Sequence, residues 1–412
     1  MYNVKNEIRG EAVRIGIFGG SFDPVHNEHV RLVEAAIKTL ALDKLFVLPA
    51  HTPPHKQGKR ISDDEARLQM CRLAFSAVPN VEVSDYEISQ GGTSYTYLTC
   101  RHFQKLYPQA KLYFLVGTDM LRDFPTWKNP EEILSVATLA VCARNERDGW
   151  WKEEKDSFYE RFHKDFAVID YNGAPVSSTE IRVRAAAKLP LSAFVDKSVE
   201  EYVYANRLYE IRGASEALAL QKPTRAAHSV RVAITAAKRA VSLGIDEEKV
   251  LTAALFHDCA KNLATDSPLL RGFALQEDWG EVPLPVLHQF TGAYVGETAF
   301  GITDEDVLNA IRYHTSGKEE MTPLGALIFL ADMVEEERIY DGVDVLRRLY
   351  WKETTKGESQ KNLFACLLEA LRRTIEYLEE KGEIVYPLTK RAYAYYLAKS
   401  KGEDYGKDCG NK

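Results

Sequence analysis

Two groups of residues stand out for the chemistry their types and spacing could support. The first lies in Gly19–His29, GGSFDPVHNEH, which follows a short β-branched run and opens a helical pattern. Gly19 and Gly20 permit a tight turn and let backbone amides approach an anion closely. Asp23 and Pro24 shape the loop, and His26 and His29 are three residues apart. On a helix those histidines share one face at its positive N-terminal end, where two imidazoles suit binding or stabilising a transferring phosphate. The second group is His228, His257, Asp258, His288, His314 and Asp332, each on or bordering an apolar helical pattern. Asp332 interrupts an apolar run, where a lone carboxylate would be costly. Four histidines and two aspartates so placed are better explained by metal than by coincidence.

These groups need elements to position them, and the two halves of the chain supply different kinds. Val13–Phe18, Lys44–Leu48, Val81–Val83, Leu112–Val116, Thr138–Cys142 and Ala167–Ile169 read as strands. Helical patterns separate them: one to about Leu40, one opened by a Ser62/Glu65 capping box and running to about Ala77, and Ser94–Leu106. That alternation implies an α/β Rossmann-like domain with a mostly parallel sheet, whose ligands sit at the carboxyl ends of the strands. From about Leu208 the strand signals stop. Arg225–Ser242, Glu247–Asn262, Pro283–Phe300, Asp304–Tyr313, Pro323–Glu335 and Ser359–Lys381 read as amphipathic helices, so an all-α domain follows. The expected boundaries are 1–209 and 210–400, meeting within Asn206–Ser215, with 401–412 as a frayed polar tail.

Composition bounds the function. The 412 residues carry 53 Lys+Arg against 60 Asp+Glu, a formal net charge of -7 that argues against nucleic acid as a partner. No run approaches the ~18 apolar residues of a membrane helix, and the first residues have no apolar signal core, so no membrane partner and a cytoplasmic location are expected. The six cysteines are scattered without a CxxC pair and read as reduced thiols. Of the ten histidines only His102 and His163 stand outside a group, which turns two domains into an expectation of two active sites.

With GGSFDP ahead of it, the HNEH segment resembles the HxGH nucleotidyltransferases. PAHTPPHK (Pro49–Lys56), GGTSYTYLT (Gly91–Thr99), VGTDML…FPTWKNP (Val116–Pro130) and VSSTEIR (Val176–Arg182) follow in the order of the bacterial nicotinate-nucleotide adenylyltransferases. The resemblance implies transfer of AMP from ATP to nicotinate mononucleotide, with Mg²⁺, giving pyrophosphate and a dinucleotide precursor of NAD. It implies that His26 and His29 are catalytic and hold the ATP phosphates. Gly19, Gly20, Ser21, Phe22, Gly117, Asp119, Ser177, Ser178, Thr179 and Arg182 are the other implied ATP contacts. Trp127 would stack on the pyridine, with Ser94, Tyr95 and Thr96 on the acid substrate, and Lys56 and Arg144 as further phosphate contacts. His51 and His55 read as loop structure. One departure is Glu28 where the family has Gly; it adds bulk and negative charge near the phosphates, and altered loop packing is expected.

In the second half, RAAHSVRV, AALFHDCAK, LNAIRYHTSG and IFLADMVEEER resemble the HD-domain phosphohydrolases, more narrowly those that split diadenosine tetraphosphate into two ADP. The resemblance implies one metal on His228, His257, Asp258 and Asp332, and a second served by His288 and His314 with Asp258 bridging. Such His/carboxylate sets with open positions suit Fe, or Mn, more than a closed structural zinc. A metal pair would generate a hydroxide nucleophile and clamp a polyphosphate, with Lys261 and Arg338 as phosphate contacts. Two alternatives stay open: a metal-stabilised regulatory or binding module, and a hydrolase for another nucleotide phosphodiester. Self-association into a homo-oligomer also stays open.

Overall fold

The computed structural model describes residues 12–53, 61–144, 149–352 and 358–402. Its chain divides into two units, Met1–Ile181 with Pro190–Leu208, and Arg182–Leu189 with Tyr209–Lys412.

The first unit is built on a six-stranded sheet: β1 (Arg14–Gly20), β2 (Lys44–Pro49), β3 (Val81–Val83), β4 (Lys111–Gly117), β5 (Ala137–Arg144) and β6 (Ala167–Gly173). Their order is β3-β2-β1-β4-β5-β6, and every neighbouring pair is parallel. Central strands read as continuous apolar runs because both faces are covered; Ile15, Ile17, Leu45, Leu48, Leu139 and Val141 are all fully buried. The connections run out in opposite directions from β1 and β4, so a crevice opens at their carboxyl ends.

Helices cover the faces: α1 (Asn27–Leu40), α2 (Asp64–Phe75), α3 (Tyr86–Gln90), α4 (Thr96–Leu106), α5 (Thr118–Asp123), α6 (Pro130–Val136), α7 (Trp151–Phe162), α8 (Ser178–Ala186) and α9 (Lys197–Ala205). The capping box expected at Ser62/Glu65 does not form. Asp63 is the N-cap, without a side-chain cap bond, and the helix stops at Phe75 rather than Ala77. The competing demand is Arg67, fully buried, whose guanidinium donates to the carbonyls of Ser62 (3.0 Å), Ser21 (2.8 Å) and His51 (3.3 Å) and pairs with Asp64. A buried cation needs those acceptors, and meeting them sets where the helix starts.

The second unit is helical: α10 (Ala214–Ala219), α11 (Pro223–Leu243), α12 (Glu247–Phe256), α13 (Leu284–Thr298), α14 (Glu305–Arg312), α15 (Pro323–Val334), α16 (Val343–Tyr350), α17 (Ser359–Glu380) and α18 (Pro387–Lys401). Local chemistry marks the ends. Pro223 opens α11 and Gly244, in the left-handed region, closes it. Asp246, Asp304 and Thr322 cap α12, α14 and α15 through their side-chain oxygens. Ala233, Ala236, Ala237 and Ala240 on α11 let α12 and α15 pack closely against it. The helix expected to run to Asn262 ends at Phe256, which leaves His257 and Asp258 in the turn that follows.

Candidate active sites

In the first unit, the loop after β1 leads into α1, and His26 is the N-cap. The His26 main-chain N–H donates to His29 Nδ1 at 3.1 Å, and the two rings stack with centroids 3.6 Å apart. With Nδ1 accepting, a neutral His29 carries its proton on Nε2, a donor at the positive end of the helix. The glycines expected to make the turn do not: Gly19 and Gly20 are the last residues of β1, paired with Leu48 and Pro49. Phe22 takes the left-handed conformation instead, at φ 47°. Gly20 serves another purpose: a Cβ there would crowd the Phe22 ring at 3.1 Å and press it out of place. That ring meets His29 edge-on at 5.1 Å and holds the imidazole upright.

The VSSTEIR segment reaches this loop from β6. Ser178 Oγ donates to the Pro24 carbonyl at 3.0 Å, which ties the start of α8 to the loop, while Ser177 Oγ accepts from the Glu180 N–H at 3.2 Å. Thr179 follows in the first turn of α8. Gly117 ends β4 and is the N-cap of α5, with Asp119 exposed in its first turn. Trp127 is half-buried against Phe124 and Phe114, at 5.3 and 6.2 Å between centroids, and its Nε1 makes no hydrogen bond. Ser94 is drawn into the framework: its Oγ accepts from the His51 N–H at 3.0 Å and bonds Glu87. Tyr95 is the N-cap of α4 and Thr96 its first residue.

Several expectations are altered by the structure. Arg182 falls in the second unit, where its Nε and Nη2 grip the Glu247 carboxylate at 2.6 and 2.7 Å. Glu28 turns toward β6, where its charge is met by Tyr171, the Ala174 N–H and Arg31. His51 pairs with Asp64, in keeping with a loop-structural role. Lys56 and His55 lie outside the described residues, and Arg144 is placed on β5 by its backbone alone. Arg67 went unnoticed in the sequence; no spacing marks it, because its partners are mostly backbone carbonyls.

The second unit gathers all six expected metal-ligating residues. His228 lies on α11, His288 on α13 and Asp332 on α15, whereas His257, Asp258 and His314 lie in turns just after α12 and α14. Three sets, His228/His257/Asp258, His257/His314/Asp332 and Asp258/His288/His314, each bring their ligand atoms within 4.8 Å of one another. Asp258 faces both ways, with Oδ2 3.4 Å from His257 Nε2 and Oδ1 3.2 and 3.6 Å from His288 and His314 Nε2.

The histidine tautomers are set from outside. His257 Nδ1 donates to the Ala254 carbonyl (2.6 Å), His314 Nδ1 to Ile311 (2.8 Å), and His228 Nδ1 to Glu335 Oε1 (3.0 Å). Each bond commits Nδ1 and leaves Nε2 turned inward, the edge a metal ligand presents; His228 Nε2 lies 2.7 Å from Asp332 Oδ1. His257 Nε2 is buried and makes no hydrogen bond, and both Asp258 oxygens are buried with ion-pair neighbours only. Buried polar atoms without bonds are costly, and a divalent cation fits this donor set. Arg225 Nη1 and Lys261 Nζ lie 3.0 and 3.3 Å from Asp258, and Arg338 pairs with Asp332.

Burial pushes the Asp258 carboxyl up, but His257, His288 and His314 around it outweigh that and hold it well below the usual range. Burial likewise opposes Asp332, where His228 and Arg338 prevail and keep it ionised. Burial lowers His314 to about 4, so it stays neutral at working pH. Gln289, fully buried, accepts from the Thr315 and Ser316 N–H groups at 3.1 and 3.0 Å and so holds the turn that carries His314.

Glu335 is a functional candidate that sequence reasoning missed, although it lies three residues past Asp332. Burial raises its carboxyl, but the bonds from His228 and Arg231 win and lower it to about 2. Glu335→Gln is expected to weaken metal binding about 10- to 100-fold, as loss of such an outer partner does elsewhere. Competition with a graded chelator measures it; unchanged retention would remove Glu335 from the site.

The fold and the two sites define a nucleotidyltransferase-type α/β unit followed by an HD-type helical unit. Family models agree: the cytidylyltransferase-like model matches residues 17–184 and the HD domain model residues 225–337. A relative from Clostridium tetani, named a probable nicotinate-nucleotide adenylyltransferase, is 40% identical over 170 residues, 40% of this chain and 84% of the relative. One from Mycoplasma genitalium, named a probable nicotinate-nucleotide adenylyltransferase/Ap4A hydrolase, is 29% identical over 325 residues, 79% of this chain and 88% of the relative. A solved structure from Clostridium acetobutylicum, described as a predicted HD superfamily hydrolase involved in NAD metabolism, is 30% identical and covers 45% of this chain and 95% of its own, with a TM-score of 0.39. The chain belongs to the nicotinate-nucleotide adenylyltransferase family and carries an HD domain behind that unit. No helix among the described residues is long and apolar enough to cross a membrane.

Proposed function

We propose that the chain is a bifunctional enzyme whose first unit transfers AMP from ATP to nicotinate mononucleotide, and whose second unit hydrolyses diadenosine tetraphosphate to two ADP. For the first activity the carrying observation is the stacked His26/His29 pair at the start of α1, bonded through the Pro24 loop to the start of α8. The mononucleotide phosphate attacks the α-phosphorus of ATP, and the bond to the β-phosphate oxygen breaks to release pyrophosphate. A phosphate oxygen is already a nucleophile, so no general base is required; catalysis is positioning and charge neutralisation. His29 Nε2–H and the amides of two helix N-termini serve that purpose, with Mg²⁺ accompanying the triphosphate. Trp127, with an indole N–H that makes no hydrogen bond, is the pyridine-stacking candidate.

For the second activity the carrying observation is Asp258 set between two ligand groups. His228, His257 and Asp332 would hold one ion, His288 and His314 another, and Asp258 both; Fe or Mn suits the donors better than a structural zinc. Bound metal supplies an activated hydroxide and Lewis-acid polarisation of a phosphoryl oxygen. The chain's own part is to turn the histidine Nε2 atoms inward, to keep His288 and His314 neutral through burial, and to keep the carboxylates ionised. Arg225, Lys261 and Arg338 supply positive charge for a polyphosphate. Incubation of the full chain with ATP, nicotinate mononucleotide and Mg²⁺ should form pyrophosphate and the dinucleotide; no pyrophosphate would end the transferase reading. Incubation with diadenosine tetraphosphate and Mn²⁺ or Fe²⁺ should give ADP alone, and AMP plus ATP would point to a different cleavage.

A further inference from the structure

Glu28 occupies the third position of the HxxH segment, between the two histidines, and is buried to within 7% of full exclusion. Its Oε2 accepts from Tyr171 Oη at 2.6 Å and from the Ala174 main-chain N–H at 2.7 Å, and its Oε1 pairs with Arg31 at 2.5 Å. Tyr171 is on β6, and Ala174 is the first residue after that strand. The strand meets the carboxylate so closely that a Cβ on Gly173 would lie 3.2 Å from Oε2. Four residues past Ala174, Ser178 bonds the Pro24 carbonyl. The segment from β6 to α8 is therefore held at both ends by the same stretch of chain, Pro24–Glu28, that carries the histidines. Burial raises the Glu28 carboxyl, but Tyr171, Ala174 and Arg31 together lower it, and ionised acceptors make the stronger bonds.

We propose that Glu28 is a positioning residue for ATP: its carboxylate clamps the β6–α8 segment so that the Ser177–Thr179 main-chain amides face the same phosphates as His26 and His29. This rests on the adenylyltransferase reading of the first unit. A glycine here would leave the Tyr171 hydroxyl and the Ala174 N–H without their acceptor and free the segment to shift. Gln keeps the shape but loses the charge and one acceptor, so its effect falls between.

Steady-state kinetics of the full chain test the clamp, with thermal unfolding run alongside to confirm folding. Glu28→Gln should raise the KM for ATP several-fold and Glu28→Gly about tenfold or more, about 1.4 kcal/mol per tenfold. The KM for nicotinate mononucleotide should stay within about twofold, since residues of another loop are proposed to bind it. Ser178→Ala alone should also raise the KM for ATP, and combined with Glu28→Gln should add less than the sum, because both anchor one segment. An unchanged KM for ATP in the folded Gln variant, an equal rise in both KM values, or strict additivity would overturn the clamp. Wild-type protein inactive in the same assay would instead overturn the transferase reading beneath it. In that case ATP binding by calorimetry, equal in wild type and Glu28→Gln, would overturn the clamp as well.

Discussion

His257→Ala is expected to abolish diadenosine tetraphosphate hydrolysis, by about three orders of magnitude or more, while adenylyl transfer stays within about twofold of wild type. The size follows from what metal supplies, several kcal/mol at 1.36 kcal/mol per decade of rate. His257 belongs to two of the three ligand groups, and its Nε2 is fully buried and makes no hydrogen bond. Removing the ring also takes away the group that does most to hold Asp258 ionised against its burial. Two of the three ligand groups lose a donor with it, so metal content should fall together with rate. Elemental analysis of purified protein, with ADP release measured at several Mn²⁺ concentrations, checks both parts. Hydrolysis within tenfold of wild type would sink the metal-site reading. The contrasting model, a metal-stabilised regulatory domain, expects metal loss with no hydrolysis in wild type either.

His29→Ala should reduce the kcat of adenylyl transfer by about 10²–10³, the ~3–4 kcal/mol typical of one preorganised donor to a developing charge. Its Nδ1 is engaged by the His26 N–H, so the ring cannot swing to offer a different nitrogen without breaking that bond. Phe22 packs its edge on the same imidazole and restricts it further. Because preorganisation is what is lost, the decrease should appear in kcat more than in KM, and hydrolysis by the second unit should not change. Pyrophosphate release under saturating ATP measures it. A loss confined to KM would make His29 a ground-state contact only.

Much of both sites was legible in residue types alone. The HxxH spacing, the strand before it and the start of a helix after it followed from local pattern, because β-branched runs and 3.6-residue periodicity are short-range properties. The six candidate metal ligands stood out since histidine and aspartate are improbable on apolar helix faces without compensation. The ends of elements were less legible. His257 and Asp258 lie beyond α12, although the run VLTAALFHDCAK keeps its helical pattern to Lys261. The helical patterns leave out α3, α5, α6, α7, α9, α10, α16 and α18; α7 buries little beyond Phe158, so its sequence carries only a faint apolar stripe.

By itself, then, the sequence determined the order of the six strands, the two halves of different class, and the identities of the groups that can do chemistry. Tertiary structure alone decided which atoms of those groups are available. His228, His257 and His314 turn Nε2 inward because Glu335 and two backbone carbonyls claim Nδ1. Glu28 points at β6 because a tyrosine and a main-chain amide await it there, although Tyr171 lies far along the chain. The physical reason is common to both. A side chain's type sets what bonds it can make, but burial makes each bond obligatory, and the partner is supplied by whatever the fold brings alongside.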